Sequence, residues 1–230
     1  ADGVLALLPT LETMIDTWAE RAHDAMIDGF LAPFLHWPGT RVSLEDGLML
    51  ISGPSQLWWF NVVFSLRTAV PGETALARAR GFFGDGQHFQ VIAQHGVDDD
   101  LAAACSTAGM HKVDAAAPHM VVTEPLEPVD EPAWLSIDSE PTAELVRDFA
   151  RISAEGFATN AETHSQILEL LDNPAIFSPI NQVFVARVDG QPAGAAAYWM
   201  TRGMAGIYWV ATMPEHRRKG IASALVTRAT

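Results

Sequence analysis

Near the C-terminus, three basic residues precede a glycine and a small residue in the run Arg217-Arg218-Lys219-Gly220-Ile221-Ala222. We call this segment, Arg217–Ala222, the cradle. Basic side chains at the start of a helix suit a small anion, because the first helical N–H groups are unpaired and carry partial positive charge. Gly220 also lacks the side chain that would hold the backbone away from a phosphate. The cradle therefore predicts a phosphate or pyrophosphate site.

The cradle needs a strand before it and a helix after it. Apolar alternation predicts that strand at Ala205–Thr212, followed by Pro214, and the apolar pattern after Gly220 predicts the helix. Turns are expected at Asp189-Gly190 and around Arg202-Gly203. The C-terminal part therefore has the predicted order β-α-α-β-β-β-α. Its other predicted elements are a helix that starts at Ser139 or Pro141 and has Leu145, Phe149, Ile152 and Gly156 on one face, a helix at about Glu162–Leu171, and strands at Val183–Val188 and Ala193–Met200.

Composition narrows the function. The chain has 230 residues, of which 49% are apolar, and a formal charge of −14 that argues against a general role on nucleic acids. Its single cysteine, Cys105, excludes an intramolecular disulfide and a multi-cysteine metal site. No apolar run is long enough for a membrane span, and Ala1–Leu8 lacks the features of a signal peptide. We expect a globular protein of the cytoplasm.

A proline-rich acidic stretch at 123–132 is the expected linker between a domain at 1–122 and a domain at 133–230. Two landmarks recur at one offset: Asp46-Gly47 matches Asp189-Gly190, and Pro71 matches Pro214. A tandem repeat and a chance coincidence both remain open on this pattern. The predicted elements of the first half are a helix at Leu11–Phe30 with Leu11, Ile15, Trp18 and Ala22 on one stripe, a strand around Trp58-Trp59, a helix from Pro71 to Phe83, a strand at His88–Gln94, a helix from Asp98 to Gly109 and a strand at Met120–Val122.

The segment Val210–Leu225 resembles the acetyl-CoA-binding motif of the GNAT superfamily of N-acyltransferases. The family pattern is Arg or Gln, two residues, Gly, any residue, then Gly or Ala, and Arg217, Gly220 and Ala222 match it. The resemblance extends from about Trp134 to Thr230. It implies an α/β (α+β) fold with a mixed, mostly antiparallel sheet flanked by helices, in two related domains. At the aligned positions the first domain has Thr74 and Ala77, so it is expected to be a degenerate copy.

The resemblance implies acetyl-CoA as co-substrate, with no metal. The N–H groups of about Arg217 to Ser223, with the charges of Arg218 and Lys219, would hold the pyrophosphate. Backbone groups of Val210 and Thr212 would face the thioester and pantetheine. The expected cofactor-binding residues are Val210, Ala211, Thr212, Arg217, Arg218, Lys219, Gly220, Ile221, Ala222 and Ser223.

The implied reaction is attack of a neutral amine on the thioester, with an N–H such as that of Val210 holding the oxyanion. Family members continue into a strand and a tyrosine-bearing helix, whereas this sequence stops at Thr230, so we expect the C-terminal domain to be incomplete and its acid and base to stay unnamed. Tyr208 and Glu215 are weak catalytic candidates, for which packing and turn roles are favoured. No metal site is expected, because the histidines of the first half, His88, His95, His111 and His119, are scattered. The core is expected to contain Trp58, Trp59 and Phe60. Cys105 is expected to be a buried thiol.

The leading hypothesis is an N-acetyltransferase that uses acetyl-CoA and a primary amine of a small molecule or peptide. A non-catalytic acyl-CoA sensor and a protein-interaction module are the alternatives. The acidic balance favours a cationic acceptor, although net charge describes the whole surface. A homodimer stays open, and neither nucleic acid nor a membrane is expected as a partner.

Overall fold

The computed structural model describes residues 18–66, 70–113, 120–124, 126–127, 132–178 and 181–230. Its helices and strands form two compact groups along the chain. One contains the described residues of 37–113, the central unit, and the other combines 18–36 with the described residues of 120–230, the outer unit. In chain order the elements are α1 (Trp18–Phe34), β1 (Arg41–Glu45), β2 (Leu48–Ser52), β3 (Asn61–Ser65), α2 (Gly72–Phe83), β4 (Gln90–Ile92), α3 (Asp99–Thr107), β5 (Leu135–Asp138), α4 (Ala143–Phe157), α5 (Ala161–Leu171), β6 (Asn181–Val188), β7 (Gln191–Thr201), β8 (Met204–Thr212) and α6 (Ile221–Ala229).

The sheet of the outer unit is antiparallel, in the order β5-β6-β7-β8. Tight turns at Asp189-Gly190 and Arg202-Gly203 join its strands, and all four residues have positive φ, which favours two-residue hairpins. With α4, α5 and α6, these strands give the order β-α-α-β-β-β-α. The predicted element order of this part is therefore confirmed.

Helices α4 and α5 begin at side-chain caps. Thr142 Oγ1 accepts a hydrogen bond from Leu145 N at 3.1 Å, and Asn160 Oδ1 accepts one from Thr163 N at 2.8 Å. Each oxygen satisfies an N–H that the first helical turn leaves unpaired. Helix α4 thus starts after Thr142 rather than at Ser139 or Pro141, because the threonine hydroxyl provides the cap. Of its predicted apolar face, Leu145, Phe149 and Ile152 are buried, whereas Gly156 is exposed.

Helix α6 packs on the sheet where β7 carries a glycine. A Cβ on Gly194 would lie 2.7 Å from Ile221 Cγ2 and 3.2 Å from Leu225 Cδ1. Ile221 and Leu225 are buried in a cluster with apolar residues of β6 and β7. The missing side chain at Gly194 therefore allows the close approach that fixes the start of α6 against the sheet.

Helix α1 belongs to the outer unit, where it packs on β7 and β8. Its grouping differs from the sequence-based division, which places everything before residue 122 in the first domain. Polar as well as apolar contacts hold α1 in the outer unit. Arg202 Nε, in the β7–β8 turn, donates to Asp28 Oδ2 at 2.6 Å. Leu11 and Ile15 of the predicted helix lie outside the described residues, and Trp18 is half exposed while Ile27 and other residues of the helix are buried.

The sheet of the central unit has the order β1-β2-β3-β4, with β1, β2 and β3 antiparallel and β4 parallel to β3. Helix α2 connects β3 to β4, as a parallel pair requires. Asp46 and Gly47 both have positive φ, like their counterparts at Asp189-Gly190. The tandem repeat nevertheless stays a prediction.

Two predicted strands are wrong. Trp58–Phe60 form a short 3-10 turn instead of a strand, with Phe60 buried and Trp58 46% exposed. The indole of Trp58 is therefore not a core side chain. Met120–Val122 form no strand, and half of the expected linker, including 128–131, lies outside the described residues. Strand β4 is shorter than the predicted His88–Gln94.

Candidate functional site

The cradle follows β8 through a 3-10 turn at Pro214–His216. Arg217 closes this turn: its N–H donates to Pro214 O at 3.3 Å, and its Nε donates to Thr212 O at 3.2 Å. The guanidinium thus folds back on the end of β8. Arg217 therefore positions the cradle, while its own N–H is already used within the turn.

The next residues turn the backbone by left-handed conformations. Arg218 has φ 63° and Gly220 has φ 80°. A Cβ on Gly220 would have no heavy atom within 4 Å, so the space in front of this glycine is open. Successive N–H groups in such a turn can form a concavity that binds anions. The side chains of Arg217, Arg218 and Lys219 are exposed around it.

Helix α6 begins directly after this turn. Its first backbone hydrogen bond runs from Ala224 N to Gly220 O at 3.0 Å. The N–H groups of Ile221, Ala222 and Ser223 therefore precede the hydrogen-bond ladder of the helix and carry the positive end of its dipole. Ile221 is buried, whereas Ala222 and Ser223 are exposed. The buried residue fixes the helix start and leaves the polar backbone facing outward.

Strand β8 is at the edge of its sheet in the part of the chain that the structure describes. Ala211 pairs with Ala195, and Met213 N donates to Ala193 O at 2.9 Å, so both face β7. Backbone groups of alternate residues point to opposite edges, so those of Thr212 and Val210 point away from β7. Ala211 is instead buried, with its Cβ 2.7 Å from where a Cβ on Gly156 of α4 would lie.

A β-bulge interrupts β8 just before Val210. The register between β7 and β8 shifts between Ala195 and Ala197, and Trp209 has φ 55°. A bulky residue with positive φ is uncommon and strained. The Trp209 ring lies edge-on to Phe157 of α4, with ring centroids 5.3 Å apart and an angle of 85°. The sequence did not single out either residue, since a bulge leaves no signal in an apolar run.

Tyr208 is directed towards α1. Its hydroxyl donates to Ala25 O at 3.2 Å, and the same carbonyl accepts a hydrogen bond from Thr201 Oγ1 at 3.1 Å. A Cβ on Gly29 would clash with the phenol, so this glycine makes room for the ring. Burial, together with the charge of Asp28, raises the pKa of Tyr208 to about 12. The hydroxyl is therefore a neutral donor already engaged within the protein.

The same contact region holds buried charges. Arg202 contacts Asp28 at 2.6 Å and Asp24 at 3.6 Å. Burial raises the pKa of the Asp28 carboxyl, while its hydrogen bond to Arg202 opposes that shift. These ion pairs hold α1 on the β7–β8 hairpin. Sequence patterns gave no sign of them because the partners are more than 170 residues apart.

The remaining residues considered for catalysis or metal binding lie outside the cradle. Glu215 is exposed on the 3-10 turn that leads to the cradle. Within the described residues, no group of three His, Cys, Asp or Glu side chains is arranged to hold a metal ion; His119 lies outside them. Cys105 is half-buried, and burial raises the pKa of its thiol. None of the helices in the described ranges has the length and apolar character needed to cross a membrane.

The fold is shared with solved acetyltransferases. A GCN5-related N-acetyltransferase from Kribbella flavida matches with a TM-score of 0.66 at 20% identity, over 94% of this chain and 80% of the other. Another GCN5-related N-acetyltransferase, from Ralstonia eutropha, matches 41% of this chain and 72% of its own, with 16% identity and a TM-score of 0.34. An acetyltransferase from Clostridium acetobutylicum, solved with acetyl-CoA, matches 41% of this chain and 70% of its own, with 15% identity and a TM-score of 0.33.

Comparison of the sequence with protein-family models gives a match to the C-terminal part of the chain. No curated protein matches the chain. The model of the acetyltransferase (GNAT) family matches residues 144–230, which include α4, the bulged strand β8, the cradle and α6. The mixed, mostly antiparallel architecture predicted from the sequence is thereby confirmed. The likeness to this family model is limited to residues 144–230.

Proposed function

We propose that the protein is an N-acetyltransferase that transfers the acetyl group of acetyl-CoA to a primary amine. The observation that carries the proposal is the open space at Gly220, at the start of α6 and beside the outward edge of β8. The N–H groups of Ile221, Ala222 and Ser223, with the side chains of Arg218 and Lys219, fit a pyrophosphate in charge and direction. A family match over the same residues supports the assignment.

The residues of β8 have separate roles in this proposal. Thr212 and Val210 offer outward backbone groups that can pair with an extended amide chain such as pantetheine, almost as with another strand. The Val210 N–H would hold the negative charge that develops on the carbonyl oxygen when the amine attacks. Arg217 would keep the end of β8 and the cradle in register through its bond to Thr212 O.

Proton transfer is not assigned to Tyr208. Its hydroxyl donates to Ala25 O, and a phenol with a pKa of about 12 releases its proton reluctantly. Glu215 is exposed on the turn before the cradle and stays a weaker candidate for a base. The binding of acetyl-CoA and the chemical step are therefore separate parts of the proposal and need separate measurements.

Calorimetric titration of the full chain with acetyl-CoA tests the binding part. Release of free CoA thiol on a panel of primary amines tests the transfer. Binding together with amine-dependent thiol release is the expected result. Binding with no release on any amine would instead favour an acyl-CoA sensor, and absence of binding at millimolar ligand would leave only the interaction module. We expect the protein to work in the cytoplasm, as its single cysteine favours a reducing compartment.

A further inference from the structure

The bulge in β8 changes the face to which Tyr208 belongs. In a regular strand, Trp209 would lie on the same face as Ile207 and Ala211 and opposite to Tyr208 and Val210. Here Tyr208 contacts Trp199, with ring centroids 5.1 Å apart, while Ala211 lies against α4. Both Trp209 and Tyr208 therefore share the face of Ala211, and the bulge has placed two neighbouring aromatic side chains on one side of the sheet.

Val210 occupies the other face. It packs against the apolar cluster that includes Ile221 and Leu225 of α6. Its backbone points to the outward edge of β8, and the indole of Trp209 comes from the residue directly before it. The bulge thus sets an aromatic ring next to the N–H to which the proposed function gives the oxyanion.

Phe157 completes an apolar surface at this place. It is the last residue of α4, its ring meets that of Trp209 edge-on, and its side chain stays 38% exposed. Aromatic pairs prefer this edge-to-face geometry, yet part of the benefit of burying a phenylalanine is lost while the ring faces solvent. The strained φ of Trp209 points the same way, because strained conformations cluster at ligand sites.

We propose that Trp209 and Phe157 bind the acceptor, and that the acceptor is a primary amine carried on an aromatic or aliphatic group. The inference rests on the proposed N-acetyltransferase function and names its substrate class. The two rings would cover the apolar part of the acceptor and direct its amino group towards the carbonyl carbon held beside Val210. Attack forms the C–N bond and breaks the C–S bond, which gives the amide and the CoA thiolate; the proton lost by the amine nitrogen is balanced by protonation of that thiolate to the free CoA thiol.

Local charge argues against a polycationic acceptor, which the overall charge of −14 favours. The carboxylates of Asp24 and Asp28, near Tyr208, are paired with Arg202. Glu155, on α4, contacts His164 Nε2 at 3.4 Å. These three carboxylates thus have partners within the protein, whereas the aromatic rings are partly open. The neighbourhood of the bulge therefore suits apolar groups better than several ammonium groups.

The test compares four amines at saturating acetyl-CoA: phenethylamine and hexylamine against ethanolamine and spermidine. Thiol release from the full chain is expected to give kcat/KM at least about tenfold higher for the two apolar amines, the scale of discrimination that an apolar contact provides. Trp209→Gly, which suits the positive φ, and Phe157→Leu, which keeps the site apolar, should each reduce that preference by several-fold, mainly through KM. Trp134→Ala is the matched control, since Trp134 is 39% exposed beside β5 at the other edge of the sheet.

The outcomes separate the two proposals. A loss of preference in the Trp209 and Phe157 variants, with the dissociation constant of acetyl-CoA unchanged, supports the acceptor site. If the wild type acetylates amines but prefers ethanolamine or spermidine, or if both variants slow all four amines equally, the acceptor assignment is wrong and the N-acetyltransferase proposal stands. If the wild type does not bind acetyl-CoA, the proposed function fails first and the acceptor site with it.

Discussion

Helices α2 and α6 both begin after a strand and a proline, yet their N-termini differ. Helix α6 starts at Ile221, seven residues after Pro214, and α2 starts at Gly72, directly after Pro71. At α2, Gly72 N donates to Asp100 Oδ2 at 2.6 Å, and a Cβ on Gly72 would clash with Asp100 O. At α6, the space beside Gly220 is open. One helix start holds a carboxylate of its own chain, and the other is open, as the proposed pyrophosphate site requires.

The start of α2 differs from that of α6 in its residues as well as in its occupant. Thr74 and Ala77, which align with Arg217 and Gly220 by sequence, lie inside α2 rather than in a turn before it. The central unit therefore lacks the residues that form the turn as well as their side chains. The carboxylate of Asp100 then takes the place at the positive end of the helix. A degenerate copy, as the sequence predicts, would look like this, although the common origin of the two units stays a prediction.

The largest expected effect comes from closing the open helix start. Gly220→Glu places a carboxylate where the pyrophosphate is proposed to bind, and two like charges brought together in this way cost several kcal/mol. We expect the affinity for acetyl-CoA to fall by about 100-fold or more, measured by calorimetry. The folded state should lose about 1–2 kcal/mol, because the φ of 80° disfavours a residue with a Cβ.

Two controls isolate the charge. Gly109→Glu adds the same side chain at another positive φ with open space, in the central unit, and should leave acetyl-CoA binding unchanged. Gly220→Asn introduces an uncharged side chain that tolerates this conformation. This variant should retain most of the affinity for acetyl-CoA. Equal loss of binding in the Asn and Glu variants would show that conformation, not the anion site, governs the effect.

A smaller loss of affinity is expected when the basic side chains at the start of α6, which α2 lacks, are removed. Replacing both Arg218→Gln and Lys219→Gln should weaken acetyl-CoA binding by about tenfold, since exposed charges contribute about 1 kcal/mol or less each. The affinity of the wild type should fall more steeply with salt than that of the variant. Parallel salt curves for the two proteins would place the pyrophosphate elsewhere.

Removing the carboxylate at the start of α2 should lower the stability of the protein and leave its affinity for acetyl-CoA unchanged. Asp100→Ala removes the charged acceptor of Gly72 N, and we expect the central unit to lose about 1 kcal/mol of unfolding free energy. Chemical denaturation measures the change, with Asp85→Ala as a control at another exposed carboxylate. The variant should gain no affinity for acetyl-CoA, because the turn and its cations are still missing. A gain would mean that Asp100 alone blocks a second site.

Local patterns predicted the part of the molecule around the cradle well. The hairpins, the apolar face of α4 and the position of Gly220 follow from turn residues, helical periodicity and the motif itself, all of which act over a few residues. The same reasoning missed Trp58–Phe60, where aromatic residues typical of strands form a 3-10 turn. Tertiary contacts decide such short apolar runs, and a single sequence does not reveal them.

Two features of the site depend on distant partners. Helix α1 joins the outer unit through Asp24, Asp28 and the carbonyl of Ala25, and each of these contacts spans more than 170 residues. The bulge at Trp209 is a shift in the register between β7 and β8. Such a shift leaves no signal in the apolar residues of β8 itself. The elements around the proposed cofactor site could thus be predicted from the sequence, and those around the proposed acceptor site could not.

The smallest expected effect separates the cradle from Tyr208, whose hydroxyl serves α1. Tyr208→Phe removes one of two hydrogen bonds to Ala25 O and should cost about 1 kcal/mol of stability, with kcat changed by less than about threefold. The pKa of about 12 lies above that of an unfolded tyrosine, so the folded state holds the proton more tightly. This contribution is complete below about pH 10 and is lost as the pH rises towards 12, with a slope of up to about 1.4 kcal/mol per pH unit. The difference in unfolding free energy between wild type and Tyr208→Phe should therefore shrink over this range, whereas a large fall in kcat with unchanged stability would make Tyr208 the catalytic acid after all.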